Sequence, residues 1–282
     1  MSDWAEETLH ADFRIRLRAS KILYDSETDH QRLVLIENDT FGRVLLLDDV
    51  VQTTEHDEFI YHEMLSHVPI LAHGAVRRVL IIGGGDGGML EEIFKHETIE
   101  AVDQIEIDES VIEFSKTYLS SICGAAFDDP RARVMIADGA AFVADCDARY
   151  DMIVIDSTDP IGPGAALFTE TFYGNCKRCL ADGGVLVTQN GVPFLQSAEL
   201  TQSLAALKGL FEDATCYLAT IPTYVGGPMA FGWASDDPAL RRVDLAELER
   251  RYDSADIATR YYNPAVHVAA FALPGYIQKM VS

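Results

Sequence analysis

Carboxylate side chains follow four of the apolar runs in the sequence. Asp86 lies inside GGGDGG, directly after RRVLII, while Glu106, Asp138 and Asp156 end the runs AVDQIE, ARVMIAD and YDMIVID. A glycine loop that follows a strand and opens into a helix usually binds an anion, because its bare N–H groups and the helix N-terminus present positive charge. Asp86 works against an anion, so we expect this carboxylate to meet a cation.

The elements that position these side chains are predicted from hydrophobic periodicity. After Arg78, short apolar runs alternate with helical stretches, which is typical of an α/β domain with a doubly wound parallel sheet and helices on both faces. Ligands of such sheets lie at the carboxyl ends of the strands. Val- and Leu-rich runs separated by NDTFG predict a small antiparallel β domain at 1–56, and DEFIYHEMLSHVPILAHG predicts a helix that opens the α/β domain at 57–282.

Each of the four carboxylates also has a simpler interpretation. Acidic residues commonly cap helices at their N-termini, and for any single one of these residues capping is the favoured interpretation. Four carboxylates on the same rim of one sheet instead favour a binding site.

The glycine loop resembles a nucleotide-binding motif. Gly83, Gly85 and Gly88 satisfy G-x-G-x-x-G, and Glu106 follows at about the offset of the acidic residue that binds ribose hydroxyls in dinucleotide sites. A dinucleotide, however, would bring its pyrophosphate against Asp86. A nucleoside without phosphate fits better, with Glu106 accepting from the ribose hydroxyls and Asp138 from the adenine amino group.

Composition narrows the classes of partner. The 282-residue chain is 48% hydrophobic and carries a formal charge of −23, with a pI near 4.5. This charge repels nucleic acid and anionic membranes and attracts cations, although solubility or adaptation to high salt explains it more simply. The chain shows no signal peptide and no run of about 18 apolar residues, so we expect a cytoplasmic protein without nucleic-acid or membrane partners.

The five cysteines do not indicate a disulfide framework, because their number is odd. Cys176 and Cys179 form a C-x-x-C, but no second pair and no nearby histidine accompany them. We therefore interpret them as small residues on a helix.

Longer motifs carry a resemblance to a known family. They are VVQTTEHDEFIYHEMLSHVPILAHG, VLIIGGGDGGMLEE, DSTDPIGPG, LFTETFYGNCKRCL, GGVLVTQNG, IPTYVGG and RYYNPAVHVAAFALP. Together these segments, spread over roughly residues 8 to 277, are similar to spermidine synthase, the polyamine aminopropyltransferase family.

This resemblance implies a fold and a reaction. The fold is a Rossmann-like, methyltransferase-type sheet preceded by the small N-terminal β domain. The reaction transfers the aminopropyl group of decarboxylated S-adenosylmethionine to putrescine and yields spermidine and methylthioadenosine. The donor is a co-substrate, no cofactor or metal is bound permanently, and a homodimer or homotetramer is implied. Because this donor ends in an ammonium without a carboxylate, Asp86 is expected to select it.

The resemblance also assigns roles to individual positions. Asp156 matches the proton acceptor of the reaction. Positions that match contacts to the amine substrate or to the donor are Tyr61, His62, Asp159, Tyr224, Gln52 and Gln31. Gly139 and Pro163 match backbone positions that line the nucleoside pocket, beside Gly83, Gly85, Glu106 and Asp138.

Two other functions remain as alternatives. A small-amine methyltransferase with ordinary S-adenosylmethionine would use the same fold, and Asp86 and DSTDP argue against it. A non-catalytic sensor of polyamines or nucleosides would need no base, whereas the sequence keeps one at Asp156. The acceptor stays open among putrescine, cadaverine, agmatine and spermidine, because pocket depth decides between them.

Overall fold

The N-terminal part of the chain forms two antiparallel sheets. The computed structural model describes residues 4–160 and 162–282. A two-stranded sheet contains β1 (Trp4–Glu7) and β2 (Ile15–Arg18), and a four-stranded meander contains β3 (Lys21–Glu27), β4 (Arg32–Asn38), β5 (Gly42–Leu47) and β6 (Val50–Thr54). The predicted antiparallel β region is confirmed.

The turn between β5 and β6 consists of two aspartates with apolar residues on both sides. Asp48 and Asp49 have φ values of 48° and 60°. Two successive residues in this left-handed region make the tight turn whose twist matches an antiparallel pair, and aspartate tolerates that region better than most residues. The turn brings Val50 back against Leu47, and Gln52 therefore lies on the returning strand.

A seven-stranded sheet forms the centre of the remaining chain. Its strands are β7 (Arg78–Gly83), β8 (Ala101–Glu106), β9 (Ala132–Ile136), β10 (Tyr150–Asp156), β11 (Leu180–Gln189), β12 (Asp213–Ala219) and β13 (Met229–Ser235), in the spatial order β12-β13-β11-β10-β7-β8-β9. The five strands β7 to β11 are parallel, which confirms the doubly wound prediction. The sheet as a whole is mixed, because β13 runs antiparallel to both β11 and β12.

This reversal at the sheet edge has a consequence for the rim. Gln189, at the carboxyl end of β11, pairs with Phe231 near the start of β13. The loop at 220–228 that joins β12 to β13 therefore lies at the same rim as the carboxyl ends of the parallel strands. It carries IPTYVGG, and with it Tyr224.

Helices cover both faces of the central sheet. They are α1 (Glu58–His73), α2 (Gly88–Phe94), α3 (Glu109–Tyr118), α4 (Ser120–Cys123), α5 (Gly139–Asp145), α6 (Glu170–Cys179), α7 (Ser197–Leu210), α8 (Leu245–Ala255), α9 (Pro264–Ala270) and α10 (Gly275–Met280). Along β7, Val79 and Ile81 pack towards α1 and α2, whereas Leu80 and Ile82 pack towards α5, α6 and α7. Across residues 4–160 and 162–282, no helix has the length and apolar character needed to span a bilayer.

The cysteines lie inside this core. Cys176 and Cys179 belong to α6, are fully buried and carry free thiols, as expected for small residues on a helix.

Helix α1 is enclosed along most of its length. Its Glu63 carboxylate is buried and accepts hydrogen bonds from the backbone N–H groups of Arg260, Tyr261 and Tyr262 at 2.7–2.8 Å. Three donors satisfy a buried carboxylate, so the segment before α9 is attached firmly to the helix. The helix in turn holds Tyr61 and His62 in fixed positions at the rim.

The N-terminal meander packs against the catalytic part through an apolar interface. Leu33, Leu35 and Leu45 share one buried cluster with Phe114 of α3 and Ile122 of α4. This contact places the β3–β4 turn and β6 over the carboxyl ends of β7 and β8, where they can close one side of a cavity.

Candidate active site

A cavity of about 500 Å³ lies at the carboxyl ends of the parallel strands. Its volume is in the range of sites for small ligands. The predicted site residues that line it are Gln31, Gln52, Tyr61, His62, Gly83, Gly85, Asp86, Glu106, Asp138, Gly139, Asp156, Asp159 and Tyr224. Pro163 is the exception, because its side chain lies outside the part of the chain that the structure describes.

The lining of the cavity is strongly acidic. Among the described residues, eight carboxylate side chains contribute to it: Glu7, Asp57, Glu58, Asp86, Glu106, Asp138, Asp156 and Asp159. Among the described lining residues there is neither a lysine nor an arginine. Because the walls exclude much of the solvent, this charge balance favours cationic ligands far more specifically than the net charge of the chain does.

The glycine loop closes directly onto the end of β10. Gly83 has φ +90°, and a Cβ there would lie 2.0 Å from the backbone oxygen of Asp156. The N–H of Gly84 donates to that oxygen at 2.9 Å. A side chain at position 83 would therefore force the loop away from β10, and the absence of one keeps Asp86 close to Asp156.

Asp156 is both half-buried and hydrogen-bonded. The Tyr61 hydroxyl donates to its Oδ1 at 2.5 Å. Burial, reinforced by the nearby charge of Asp86, raises the pKa of Asp156 to about 6. This pKa is closer to neutral pH than that of an ordinary aspartate, which makes Asp156 a more useful general base.

Asp86 is held by the loop itself and by a histidine. The Gly88 N–H donates to its Oδ1 at 3.0 Å, and Nε2 of His62 lies 3.4 Å from its Oδ2. Burial alone would raise the pKa of Asp86, but His62 outweighs it and lowers that pKa. Asp86 is therefore an ionised carboxylate, and the cation beside it is the side chain of His62.

Within the described ranges, one set of side chains is close enough to hold a metal ion. The ligand atoms of His62, Asp86 and Asp156 all lie within 4.8 Å of one another. The same spacing suits the cationic groups of an amine, and the view that no metal is needed stays a prediction.

Capping of helices, the simpler interpretation, applies to some of the carboxylates. Asp138 caps α5 by accepting from the N–H groups of Ala140 and Ala141 through Oδ1, and Asp108 caps α3. Glu106 instead accepts from the Asp108 N–H at 3.0 Å, and burial raises its pKa to about 7. Capping occupies Oδ1 of Asp138, so its Oδ2 is the oxygen available to a ligand.

The opposite end of the cavity contains Asp159 and Gln196, and the sequence did not suggest Gln196 as a site residue. Nε2 of Gln196 donates to Asp159 and also to Glu199, at 3.1 Å in the second case. Burial raises the pKa of Asp159, and burial together with Asp159 raises that of Glu199 to about 8. Gln196 therefore holds the carboxyl groups of Asp159 and Glu199 together through one amide nitrogen.

Tyr224 is positioned by a buried aspartate that the sequence did not indicate. Asp57 accepts from the Thr223 N–H at 2.8 Å and from the Thr54 hydroxyl at 2.6 Å. The Tyr224 hydroxyl donates to the backbone oxygen of Gln52, and its ring meets that of Tyr61 edge-on at 6.3 Å. Asp57 thus ties the loop at 220–228 to β6 and to the start of α1.

Comparison with known families identifies this arrangement. The model of the spermine/spermidine synthase domain matches residues 58–244, and that of the spermidine synthase tetramerisation domain matches residues 3–55. The chain belongs to the spermine/spermidine synthase family. This confirms the resemblance that the motifs indicated.

Individual members of the family are similar over almost the full chain. The polyamine aminopropyltransferase of Ruegeria sp. (strain TM1040) is 59% identical over 277 residues, which cover 98% of each chain. Polyamine aminopropyltransferase 1 of Pseudomonas aeruginosa is 53% identical over 281 residues, which cover 100% of this chain and 98% of the relative.

Solved structures of the family superpose closely. A crystal structure of spermidine synthase in complex with the transition state analogue AdoDATO gives a TM-score of 0.94 at 37% identity, covering 99% of this chain and 94% of that one. Spermidine synthase from Thermotoga maritima gives 0.92 at 36% identity, with the same coverage. The fold of the family is therefore the fold of this chain.

The raised pKa of Asp156 lowers the free energy of unfolding of the protein at neutral pH. A carboxyl whose pKa rises on folding stabilises the fold below its unfolded pKa, near 3.8, and that contribution disappears as the pH rises through about 6. We therefore expect Asp156→Asn to raise the free energy of unfolding of the unliganded protein by about 1–3 kcal/mol at pH 7.5, and by less at pH 5.5. Urea unfolding at both pH values measures this.

A matched control for this stability effect is Asp147→Asn, since Asp147 is exposed and outside the cavity. Its free energy of unfolding should stay within about 0.5 kcal/mol of wild type at both pH values. A variant at 156 that is less stable than wild type at pH 7.5 would contradict the account.

Proposed function

We propose that the protein transfers the aminopropyl group of decarboxylated S-adenosylmethionine to putrescine, producing spermidine and methylthioadenosine. The observation that carries the proposal is an acidic cavity in which Asp86 lies close to Asp156. Its described lining has neither lysine nor arginine. Membership of the family and the name polyamine aminopropyltransferase of its relatives support the same reaction.

The nucleoside of the donor fits the end of the cavity near β8 and α5. Glu106 would accept hydrogen bonds from the ribose hydroxyls, and the uncapped oxygen of Asp138 would accept from the adenine amino group. The backbone at Gly139 and Pro163 would border the adenine, while Gly83 and Gly85 let the loop approach the sugar. Gln31, whose Nε2 donates to Asp108 at 3.3 Å, would close the pocket from the N-terminal meander.

The cationic part of the donor fits the two central aspartates. Its ammonium would pair with Asp86 in place of His62, and its sulfonium would lie near Asp156. Ordinary S-adenosylmethionine would add a carboxylate next to Asp86, which like-charge repulsion disfavours. Asp86 therefore acts as the residue that selects the donor.

The acceptor fits the remaining space between Asp156 and Asp159. Tyr61 and Tyr224 present hydroxyl oxygens to its ammonium groups and ring faces to its methylene chain. Gln52 would contribute its carboxamide, and His62 would border the path. Asp159, aligned by Gln196, would hold the distal ammonium.

The chemical step is a displacement at the carbon next to sulfur. An amine nitrogen attacks, the C–S bond breaks, and its electron pair leaves with a neutral thioether that needs no acid. The amine must lose a proton, and for a pKa near 10.4 deprotonation at pH 7 costs about 4.6 kcal/mol. Asp156 receives this proton as the nitrogen becomes cationic, and its raised pKa makes it suited to do so.

Incubation with defined donors tests the proposal. Purified protein with decarboxylated S-adenosylmethionine and putrescine should form spermidine and methylthioadenosine in equal amounts, as measured by mass spectrometry. Methylated putrescine from ordinary S-adenosylmethionine would support the methyltransferase alternative instead. Binding of either ligand without any product would support a sensor.

We also expect putrescine to be the preferred acceptor. Asp156 and Asp159 would each face one amine of a short diamine, and the tyrosines would line the chain between them. A competition assay with equal concentrations of putrescine, cadaverine, agmatine and spermidine measures the preference. Faster consumption of any other amine would contradict this assignment of the two aspartates.

We infer a homodimer or homotetramer as the working form. The tetramerisation domain of the family matches residues 3–55, and in that part Trp4, Phe13 and Ile22 are exposed apolar side chains. Contacts between copies in the assembled form would cover these side chains. Mass photometry at assay concentration gives the number of copies directly.

A further inference from the structure

His62 lies between two carboxylates, one of which has no role so far. Its Nδ1 is 2.7 Å from Oε2 of Glu58, one helical turn earlier on α1, and its Nε2 is 3.4 Å from Oδ2 of Asp86. The side chain of His62 is 3% exposed and that of Glu58 is 12% exposed. Both nitrogens of a buried imidazole therefore face groups that accept hydrogen bonds.

The orientation of the ring is restricted by its packing. A Cβ at position 88 would lie 2.3 Å from Cε1 of His62, so the imidazole rests directly on the glycine that begins α2. On its other side the Tyr61 ring meets it edge-on at 5.2 Å and 90°. The two nitrogens thus keep their directions, and Glu58 holds a proton on Nδ1.

The charge of His62 depends on the groups around it. These are Glu58 on its own helix, Asp86 in the glycine loop, Asp156 at the end of β10, and the hydroxyl-bearing ring of Tyr61. Burial opposes the charged form, but Asp86 and Glu58 outweigh burial and raise the pKa of His62 well above its ordinary value. In the unliganded protein His62 is therefore an imidazolium that neutralises Asp86.

The proposed reaction needs a place for one proton. Each transfer converts an ammonium and a sulfonium into one secondary ammonium, a neutral thioether and a free proton. Asp156 is the first acceptor, yet its Oδ1 is occupied by the Tyr61 hydroxyl, and both substrates cover the cavity. A ring nitrogen of His62 lies within 4.8 Å of a carboxylate oxygen of Asp156, close enough for transfer through one water.

We propose that Glu58 is a positioning residue that makes His62 a proton carrier: the imidazole releases its Nε2 proton when the donor's ammonium replaces it at Asp86, and it takes up the proton that Asp156 receives during transfer. This inference rests on the proposed function. The Nδ1 proton stays on the imidazole throughout, hydrogen-bonded to Glu58. One proton therefore enters solution per turnover, at the binding of the donor, and product release leaves the imidazolium restored.

The test counts protons during donor binding. Calorimetric titration with decarboxylated S-adenosylmethionine at pH 7.5, in buffers of different ionisation enthalpy, gives the number of protons released. Wild type should release close to one. The glutamine of Glu58→Gln can still accept a hydrogen bond from Nδ1 but lacks the negative charge. Proton release should therefore fall at least twofold and kcat at least tenfold. The KM values for both substrates should change less than threefold. Glu58→Asp, which keeps the charge, should restore most of the release.

A matched control is a second buried histidine–glutamate pair. Nε2 of His67 lies 3.0 Å from Oε2 of Glu92, and neither residue lines the cavity. Glu92→Gln should keep the proton count and kcat of wild type. His62→Gln, which cannot carry a proton, should lose the release and serves as a second variant if Glu58→Gln does not fold.

Three results would overturn the proposal: no proton released by wild type, an unchanged proton count in Glu58→Gln and His62→Gln, or equal losses in Glu58→Gln and Glu92→Gln. Failure of the proposed function looks different, since wild type would then form no spermidine. A wild type that makes spermidine while the Glu58 and His62 variants keep their proton count contradicts the carrier alone.

Discussion

Asp156→Asn should lose turnover by roughly 10²–10⁴-fold, because a positioned base contributes about this much and asparagine cannot accept the proton. Its amide oxygen can still accept the hydrogen bond from the Tyr61 hydroxyl, so the geometry around position 156 is retained. Binding of the donor should survive far better than rate. Single-turnover kinetics measures the chemical step, and calorimetry measures binding to the same preparation.

The control for this variant lies on the same strand. Asp151, near the other end of β10, accepts from the backbone N–H groups of Arg77 and Arg78 at 2.9 Å and does not line the cavity. Asp151→Asn should keep turnover within about threefold of wild type. If Asp156→Asn kept more than about a tenth of wild-type turnover, another group would have to be the base.

Asp86→Asn should change the preference between donors. If Asp86 pairs with the propyl ammonium, the substitution should weaken binding of decarboxylated S-adenosylmethionine by about 2–4 kcal/mol, the range for removing one partner of a sheltered charge pair. Binding of ordinary S-adenosylmethionine should fall less or even rise, since its carboxylate no longer meets a like charge. The preference should therefore shrink by roughly one to three orders of magnitude. Calorimetry with both donors measures it.

Methylthioadenosine is the control ligand for Asp86→Asn, because it lacks the ammonium and should bind almost unchanged. Glu106→Gln is the contrasting variant, because Glu106 would contact the ribose that all three ligands share. This substitution should weaken the binding of all three similarly. Equal losses for the three ligands in Asp86→Asn would mean that Asp86 shapes the glycine loop and that selection occurs elsewhere.

Much of the fold follows from local patterns in the sequence. Hydrophobic periodicity and turn-forming residues predict the N-terminal antiparallel strands, the helix after Asp57 and the parallel strands that end in Glu106 and Asp156. Each of these patterns is complete within a few residues. The antiparallel edge formed by β12 and β13 was not predicted, because no helix separates these two strands and the alternation of strand and helix that indicates parallel pairing ends before them. The division at 56 and 57 stays a prediction, as does a cytoplasmic location.

The site was predictable where a residue ends a strand, and less so where its partner comes from elsewhere in the chain. Asp57 meets Thr223 and Gln196 meets Asp159 only after folding, so neither contact leaves a local signal. Glu58 is different. Its spacing of four residues from His62 is the spacing of neighbours on one helix face, and it could have been recognised as a partner.

The central claim is that the intact aminopropyl group moves from donor to putrescine in this cavity. Decarboxylated S-adenosylmethionine labelled with carbon-13 in its three propyl carbons and nitrogen-15 in its amine, mixed with an equal amount of methyl-labelled S-adenosylmethionine, tests it most directly. The account predicts spermidine that carries all four labels, one methylthioadenosine per spermidine, and no labelled methyl group on any amine. Methyl label on putrescine, or no labelled spermidine from wild type while Asp86 and Asp156 are intact, would contradict it.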